Sequence, residues 1–125
     1  MTRRRRTALV VDDSAAMRGL IRGALARVGL DAREAQDGAE AWRVLADERF
    51  ALIVSDLHMP LVDGLKLIGL VRSRGDHQRT PIVLVTADGT PDDCRRALEL
   101  GANAVLRKPL APEELAAAVT RLLTA

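Results

Sequence analysis

The chain has 125 residues, of which 48% are hydrophobic and 2% aromatic, and it carries a formal net charge of +2. Length and composition predict one globular domain, and no apolar run approaches the roughly 20 residues of a membrane-spanning helix. One cysteine excludes an internal disulfide and a cysteine-based zinc site, which fits a reducing compartment, so we expect a cytoplasmic protein.

The positive balance comes from four consecutive arginines at residues 3–6, and the remainder of the chain is slightly acidic. We interpret residues 1–6 as a basic N-terminal tail and residues 7–125 as the domain. Such a run can attract phosphate groups or an anionic membrane, but a solvated tail that leads into the first strand is the favoured interpretation. Because Trp42 and Phe50 are the only aromatic residues, base stacking has little support and no direct nucleic-acid partner is expected.

The first third of the chain alternates strand and helix patterns. Residues 8–11 form an apolar strand, and Ser14 can cap a helix whose apolar residues recur at steps of three and four until Gly29. Residues 31–35 predict a weak, charged strand at a sheet edge. Asp37 and Glu40 then resemble a capping box that opens the second helix.

The middle of the chain carries the strongest pattern, the segment FALIVSDLHMPLVDG at residues 50–64. Its apolar run has no polar alternation, which predicts a strand buried on both faces and ending in Ser55 and Asp56. A third helix follows Asp63 and Gly64, and residues 82–85 predict the fourth strand. We expect His77, in the polar loop between them, to be solvated.

The last third completes the alternation. Thr90, with a proline after it, opens a fourth helix whose predicted buried residues are Cys94, Ala97 and Leu98. Residues 103–107 form the fifth strand, and a fifth helix begins at residue 112. We expect Cys94 to be an inert buried thiol and Trp42, on the second helix, to be partly packed.

Five β/α units with short connections predict an α/β domain, a five-stranded parallel sheet with five helices on its two faces. In the common doubly wound order 2-1-3-4-5, the switch point lies between strands one and three. The chain ends with the fifth helix, so we expect no attached output or DNA-binding domain.

Polar residues follow four of the predicted strands. Asp12 and Asp13 follow strand one, Asp56 follows strand three, Thr86 follows strand four and Lys108 follows strand five. Because the carboxyl ends of parallel strands meet at one rim, these side chains should converge. Three crowded carboxylates repel one another, and a hard divalent cation with oxygen ligands relieves that repulsion. Such a site suits binding a phosphoryl group and accepting it on a carboxylate.

Four fragments, in this order and at strand ends, carry a family resemblance. They are VVDDS at residues 10–14, SDLHMPLVDG at 55–64, VTA at 85–87 and RKP at 107–109. Over residues 7–123 the chain resembles the receiver domain of bacterial two-component response regulators, specifically the single-domain CheY-like kind. The resemblance implies a flavodoxin-like doubly wound fold, and the 2-1-3-4-5 order given above is partly taken from that fold.

The resemblance also implies roles for the rim residues. Asp56 would accept a phosphoryl group from a histidine kinase or phosphotransfer protein, and Thr86 and Lys108 would contact the phosphoryl oxygens. Mg²⁺ would be held by Asp12, Asp13, Asp56 and the backbone carbonyl of His58. The peptide bond between Lys108 and Pro109 would be cis. From the residues themselves, His58 has no histidine or cysteine nearby in sequence to make it a zinc ligand or phosphoryl relay, so we expect its side chain to border the pocket.

The function implied is that of a signalling switch and not of an enzyme, with a downstream partner bound at the face of helix four, strand five and helix five. Val105 stands where family members usually carry an aromatic residue that moves with the threonine. We therefore expect backbone movement of residues 86–90 and helix four to carry the switch, read together with Arg95, Arg96 and Arg107.

Two other functions use similar parts. An unphosphorylated pseudo-receiver would be a pure interaction module, which the complete set of rim residues argues against. A metal-dependent phosphatase with an aspartyl nucleophile usually has a second acid near the nucleophile, where this chain has His58.

Overall fold

Strands and helices alternate along the chain in the computed structural model, which describes residues 6–59 and 62–124. The strands are β1 (Arg6–Val11), β2 (Leu30–Ala35), β3 (Leu52–Asp56), β4 (Ile82–Thr86) and β5 (Ala104–Arg107). The helices are α1 (Ala15–Ala26), α2 (Gly38–Asp47), α3 (Gly64–Ser73), α4 (Pro91–Leu100) and α5 (Pro112–Thr124), with a short 3-10 turn at Gly75–His77.

The sheet is parallel throughout and has the order β2-β1-β3-β4-β5, so the predicted order and the edge position of β2 are confirmed. Its register sets the rim of the site. Val11 pairs with Ser55, Asp56 pairs with Val85, and Thr86 pairs with Arg107. The carboxyl ends of β1, β3, β4 and β5 therefore lie side by side.

An apolar layer covers each face of the sheet, which explains why the central strands show no polar alternation. Leu9, Ile53 and Leu84 pack with α2, α3 and α4 on one face. Val10, Val54 and Val85 pack with α1 and α5 on the other. Every residue of β3 and β4 is buried.

Side-chain caps begin the first four helices, as the sequence predicts for three of them. The Ser14 hydroxyl accepts from the Met17 amide at 3.2 Å, and the Asp37 carboxylate accepts from the Glu40 amide at 2.7 Å. Asp63 caps α3 in the same way, and Thr90 with Asp93 forms a reciprocal capping box at α4. Such caps satisfy backbone donors that the helix itself leaves unpaired.

Three burial predictions are wrong, two of them on α4. Leu98 is 51% exposed because α4 turns only a narrow side, centred on Ala97, toward the sheet, and Cys94 is half-buried. His77 is 1% exposed because the 3-10 turn folds back against α2, where its Nε2 atom lies 3.0 Å from the Leu45 carbonyl oxygen.

Other expectations are met or shifted slightly. Trp42 is half-buried, with the Arg74 guanidinium carbon 4.8 Å from its ring centroid. Arg6 is the first residue of β1 and so belongs to the sheet, whereas the rest of the predicted tail lies outside the described residues. No helix in the described chain combines the length and apolar character that a bilayer crossing requires.

Candidate functional site

Four of the predicted rim residues lie together in the structure. Carboxylate oxygens of Asp12, Asp13 and Asp56 lie within 4.8 Å of one another. The Lys108 Nζ atom lies 3.1 Å from the Asp12 Oδ2 atom and 3.6 Å from the Asp56 Oδ2 atom. Three acidic groups and one ammonium group therefore meet at the topological switch point between β1 and β3.

Asp12 is the most tightly held of these residues. It is buried, and its Oδ1 atom accepts from the Ser14 amide at 2.9 Å. Its carbonyl oxygen accepts from the Arg18 guanidinium at 2.6 Å, while Arg18 also donates to Glu34 at 2.8 Å. Sequence reasoning missed Arg18, because no spacing rule links an arginine inside a helix to the carbonyl of a residue that follows the preceding strand.

The environment of Asp56 is unfavourable to its own charge. Burial raises the pKa of this carboxyl, the neighbouring Lys108 ammonium lowers it and the Asp12 carboxylate raises it. The amides of His58 and Leu57 also lower this pKa, and the His58 amide lies 3.4 Å from the Asp56 Oδ1 atom. The net direction is upward, which is the signature of a buried acid beside a like charge.

The segment after Asp56 is fixed by a close backbone approach at Gly64. The Gly64 amide donates to the Leu57 carbonyl at 2.8 Å. A Cβ atom at Gly64 would lie 2.6 Å from the Asp56 carbonyl oxygen and 2.9 Å from the Leu57 Cα atom. Only glycine allows the start of α3 to pack this closely against the end of β3, so Gly64 sets the backbone that carries Asp56.

Thr86 lies at the same rim but is engaged with the loop that leads to α4. Its hydroxyl accepts from the Gly89 amide at 3.1 Å, and its side chain is buried. Its carbonyl oxygen accepts from the Lys108 amide at 2.9 Å, which ties the end of β5 to the end of β4. Gly89 is a second residue that sequence reasoning missed.

The remaining predicted features surround the pocket. The Lys108–Pro109 peptide bond is cis, as the family resemblance implies. The His58 Nε2 atom lies 3.3 Å from the Asp88 Oδ1 atom, and both side chains are exposed. His58 and Asp88 therefore join the loops after β3 and β4; Asp88 has no sequence signal of its own.

The donor set fits a hard divalent cation. All three acidic groups offer oxygen ligands, which Mg²⁺ and Ca²⁺ prefer, and two of them are buried where their mutual repulsion is weakly screened. Lys108 offsets only part of that negative charge. A cation bound at this cluster would neutralise the remaining negative charge.

Comparison with known proteins identifies the family. Residues 8–120 match the response regulator receiver domain family. The chain belongs to this family. The parallel sheet of order β2-β1-β3-β4-β5 agrees with this membership.

Individual relatives cover most of the receiver domain. The chain is 38% identical over 109 residues to a chemotaxis protein CheY homolog of Campylobacter jejuni, covering 86% of this chain and 84% of that protein. It is also 38% identical to chemotaxis protein CheY1 of Helicobacter pylori, covering 86% and 88%. The structure of chemotaxis response regulator CheY4 of Vibrio cholerae superposes with a TM-score of 0.88 and 32% identity, over 96% of this chain and all of that one. The receiver domain is therefore of the CheY-like kind, a group of signalling proteins that act with histidine kinases and downstream targets.

Proposed function

We propose that this receiver domain is a phosphorylation-activated switch of a two-component phosphorelay and that Asp56 is its phosphoacceptor. The observation that carries the proposal is the position of Asp56. It ends a fully buried central strand, 3.6 Å from the Lys108 Nζ atom and beside the Asp12 and Asp13 carboxylates.

Asp56 reacts in its ionised form, so the transfer needs no general base once this carboxyl has lost its proton. A carboxylate oxygen of Asp56 attacks phosphorus and forms an O–P bond, while the P–N bond of a kinase phosphohistidine breaks and its electron pair stays on the imidazole nitrogen. Lys108 provides a compact positive charge toward the incoming phosphoryl oxygens, and the Thr86 hydroxyl provides a donor. The raised pKa of Asp56 means that reactivity falls in mild acid more than for an ordinary aspartate.

Mg²⁺ is the cation that this site is proposed to use. Asp12, Asp13 and Asp56 would hold it, with the backbone carbonyl of His58 as a further ligand that the family resemblance implies. When bound, the ion supplies positive charge that neutralises the acidic cluster and the phosphoryl oxygens. The Lys108 ammonium and the His58 amide each contact one oxygen of the Asp56 carboxylate and so restrain its orientation.

The signal is proposed to leave through α4, β5 and α5, where a downstream protein would bind. Leu98 offers exposed apolar surface on α4, one turn after Cys94 and Arg95. Arg107 ends β5 and forms no ion pair with another described residue. Arg96 lies with Leu100 in a groove against α3 and therefore on a different side of α4 from Leu98.

The deciding experiment is incubation of the protein with Mg²⁺ and a small acyl-phosphate donor, followed by intact-mass measurement. One phosphoryl group should be added, and the addition should disappear in Asp56→Asn and in excess chelator. Asp47→Asn is the matched control, since Asp47 is an exposed carboxylate on α2 and should leave phosphorylation unchanged.

Other outcomes would point elsewhere. A phosphoryl group retained in Asp56→Asn would refute the assignment of the acceptor. Absence of any adduct in wild type, including with a phosphorylated kinase, would favour a pseudo-receiver. Fast multiple turnover of the donor without adduct would favour the phosphatase.

A further inference from the structure

A second concave site lies at the amino-terminal ends of the strands, whereas Asp56 lies at their carboxyl-terminal ends. It is a cleft of about 820 Å³ between the amino ends of β1, β3 and β4 and the last turn of α5. Apolar side chains line its floor, and two arginines line its rim. The volume is in the range of ordinary ligand and side-chain pockets.

The floor is formed by one buried apolar side chain and several half-buried ones. Phe50, the only phenylalanine of the chain, is 7% exposed and contributes to the cleft. Leu122 and Leu123 at the end of α5 are half-buried, and Pro81 closes the side next to β4. When a partner's apolar side chain displaces water from such an apolar floor, the free energy of binding becomes more favourable.

The rim is cationic. The Arg49 side chain is 82% exposed, and its guanidinium reaches Asp76 only at 3.7 Å. Arg6 forms no ion pair with another described residue. Glu48 also lines the cleft, but its carboxylate is paired with Arg33.

The sequence adds to this charge. Residues 3–5 are three further arginines that directly precede Arg6 in the sequence. The proposed phosphorylation switch makes no use of this run. Arg6 and Arg49 place positive charge beside the apolar lining of the cleft.

We infer that this cleft binds an acidic segment of a partner protein that places a bulky apolar side chain on the floor while its carboxylates face Arg6 and Arg49. Nucleic acid fits less well, because its outer surface is a uniform row of phosphates with no apolar group for a recessed floor. A planar anionic membrane would meet the arginines but would leave the recess unfilled. A peptide with both features matches both parts of the cleft.

Binding at this cleft should not depend on phosphorylation. Asp56 is at the carboxyl end of β3, and the cleft lies before its amino end, so the five residues of the strand separate the two sites by about 17 Å. The cleft would thus hold a partner constitutively, whatever the state of the switch. Failure of one proposal leaves the other intact.

The test uses the full chain and a fluorescein-labelled synthetic peptide with a Leu-Phe pair flanked by glutamates on both sides. Fluorescence anisotropy gives the affinity, and amide NMR shifts locate the site. Arg49→Glu should weaken binding about tenfold, because a repelling carboxylate replaces an attractive rim charge. Replacing residues 3–5 with alanine should weaken binding further and flatten its salt dependence.

The matched control is Arg43→Glu, which makes the same charge change at an exposed position of α2 outside the cleft. It should change affinity less than twofold, and a beryllofluoride adduct of Asp56 should not change it. A control peptide with alanines in place of the Leu-Phe pair should bind at least several-fold more weakly.

Several results would overturn the inference. One is the absence of saturable peptide binding below about 1 mM. Another is an equal loss of affinity in Arg49→Glu and Arg43→Glu. A third is that the NMR shifts fall on α4 instead of around Thr7, Phe50 and Leu122. Tighter binding of duplex DNA or of anionic phospholipid vesicles, lost in Arg49→Glu, would assign the arginines to those partners.

Discussion

At Asp56 the fold places an acidic group where water is scarce and another carboxylate is near. Asp56 is 8% exposed, and the Lys108 Nζ atom lies 3.6 Å from its Oδ2 atom. Without a bound cation the ionised form is therefore disfavoured, and the pKa of Asp56 is raised. This arrangement destabilises the metal-free protein. A bound cation then strongly stabilises the ionised carboxylate that acts as the nucleophile.

Asp56→Asn should accordingly stabilise the metal-free protein at neutral pH. Because the pKa is raised in the folded state, the folded protein holds the proton to higher pH than the unfolded chain does, and stability falls as pH rises through that interval. Removing the charge should raise the free energy of unfolding at pH 7.5 by an amount on the order of 1 kcal/mol.

Urea unfolding in chelator at pH 7.5 and at pH 4 measures this effect. The gain should shrink at the lower pH, where the wild-type carboxyl is protonated more fully. Asp47→Asn, on the surface of α2, should differ from wild type by less than about 0.5 kcal/mol at both values. An Asp56→Asn protein less stable than wild type at pH 7.5 would show that the Lys108 contact outweighs burial and the Asp12 charge.

Arg72, near the end of α3, bonds to chain segments that are distant from it in the sequence. Its guanidinium donates to the Gly101 carbonyl at 2.7 Å and to the Thr80 carbonyl at 2.7 Å. It also donates to the Asn103 side chain at 3.1 Å, which in turn accepts from the Ile82 amide at 2.9 Å. The end of α3 is thus bonded to the entry of β4 and to the turn between α4 and β5.

Arg72→Ala should therefore destabilise the fold strongly. Several half-buried carbonyls would lose their donor together, which we expect to cost about 2–4 kcal/mol of unfolding free energy. Arg72→Lys should recover only part of the loss, because an ammonium cannot reproduce the planar fork. Urea unfolding checks both, with exposed Arg79→Ala as the control; equal midpoints for Arg72→Ala and Arg79→Ala would contradict the role.

The elements that the sequence predicts well are those with a simple physical signal. Branched apolar runs identify β1, β3 and β4 because these strands are buried on both faces. Caps such as Thr90 mark helix starts because a side-chain oxygen at that position accepts a hydrogen bond from a backbone amide that the first turn leaves unpaired.

What the sequence fails to predict depends on tertiary contacts. His77 looks like a loop residue, and only the fold brings the Leu45 carbonyl to its ring. Leu98 has core spacing, but helical periodicity cannot show that α4 covers the sheet with one narrow side. For the candidate site, strand ends alone predict the meeting of Asp12, Asp13, Asp56 and Lys108, whereas Arg18 and Gly89 enter through contacts with backbone groups.

For the whole molecule, the two ends of α4 are held in different ways. Its start follows Gly89, whose amide depends on the Thr86 hydroxyl at 3.1 Å. Its end at Gly101 is bonded to Arg72, and a Cβ atom at Gly101 would lie 2.7 Å from the Arg72 Nε atom. Movement of the Thr86 hydroxyl toward a phosphoryl group would remove the acceptor of the first contact and leave the second unchanged.

We therefore expect α4 to respond to phosphorylation mainly at its amino end. Backbone NMR of the protein with Mg²⁺ and beryllofluoride should show large amide shifts at Gly89 and over Thr90 to Cys94, and smaller ones from Leu98 to Gly101. Val105 is half-buried on β5 and too short to sweep between buried and exposed positions, so backbone displacement must carry the change. Thr86→Ala is the matched variant: it should still form the adduct, seen as shifts around Asp56, but lose most of the shifts in α4. Equal α4 shifts in Thr86→Ala and wild type, or wild-type shifts confined to residues that touch Asp56, would show that the signal does not travel through this loop.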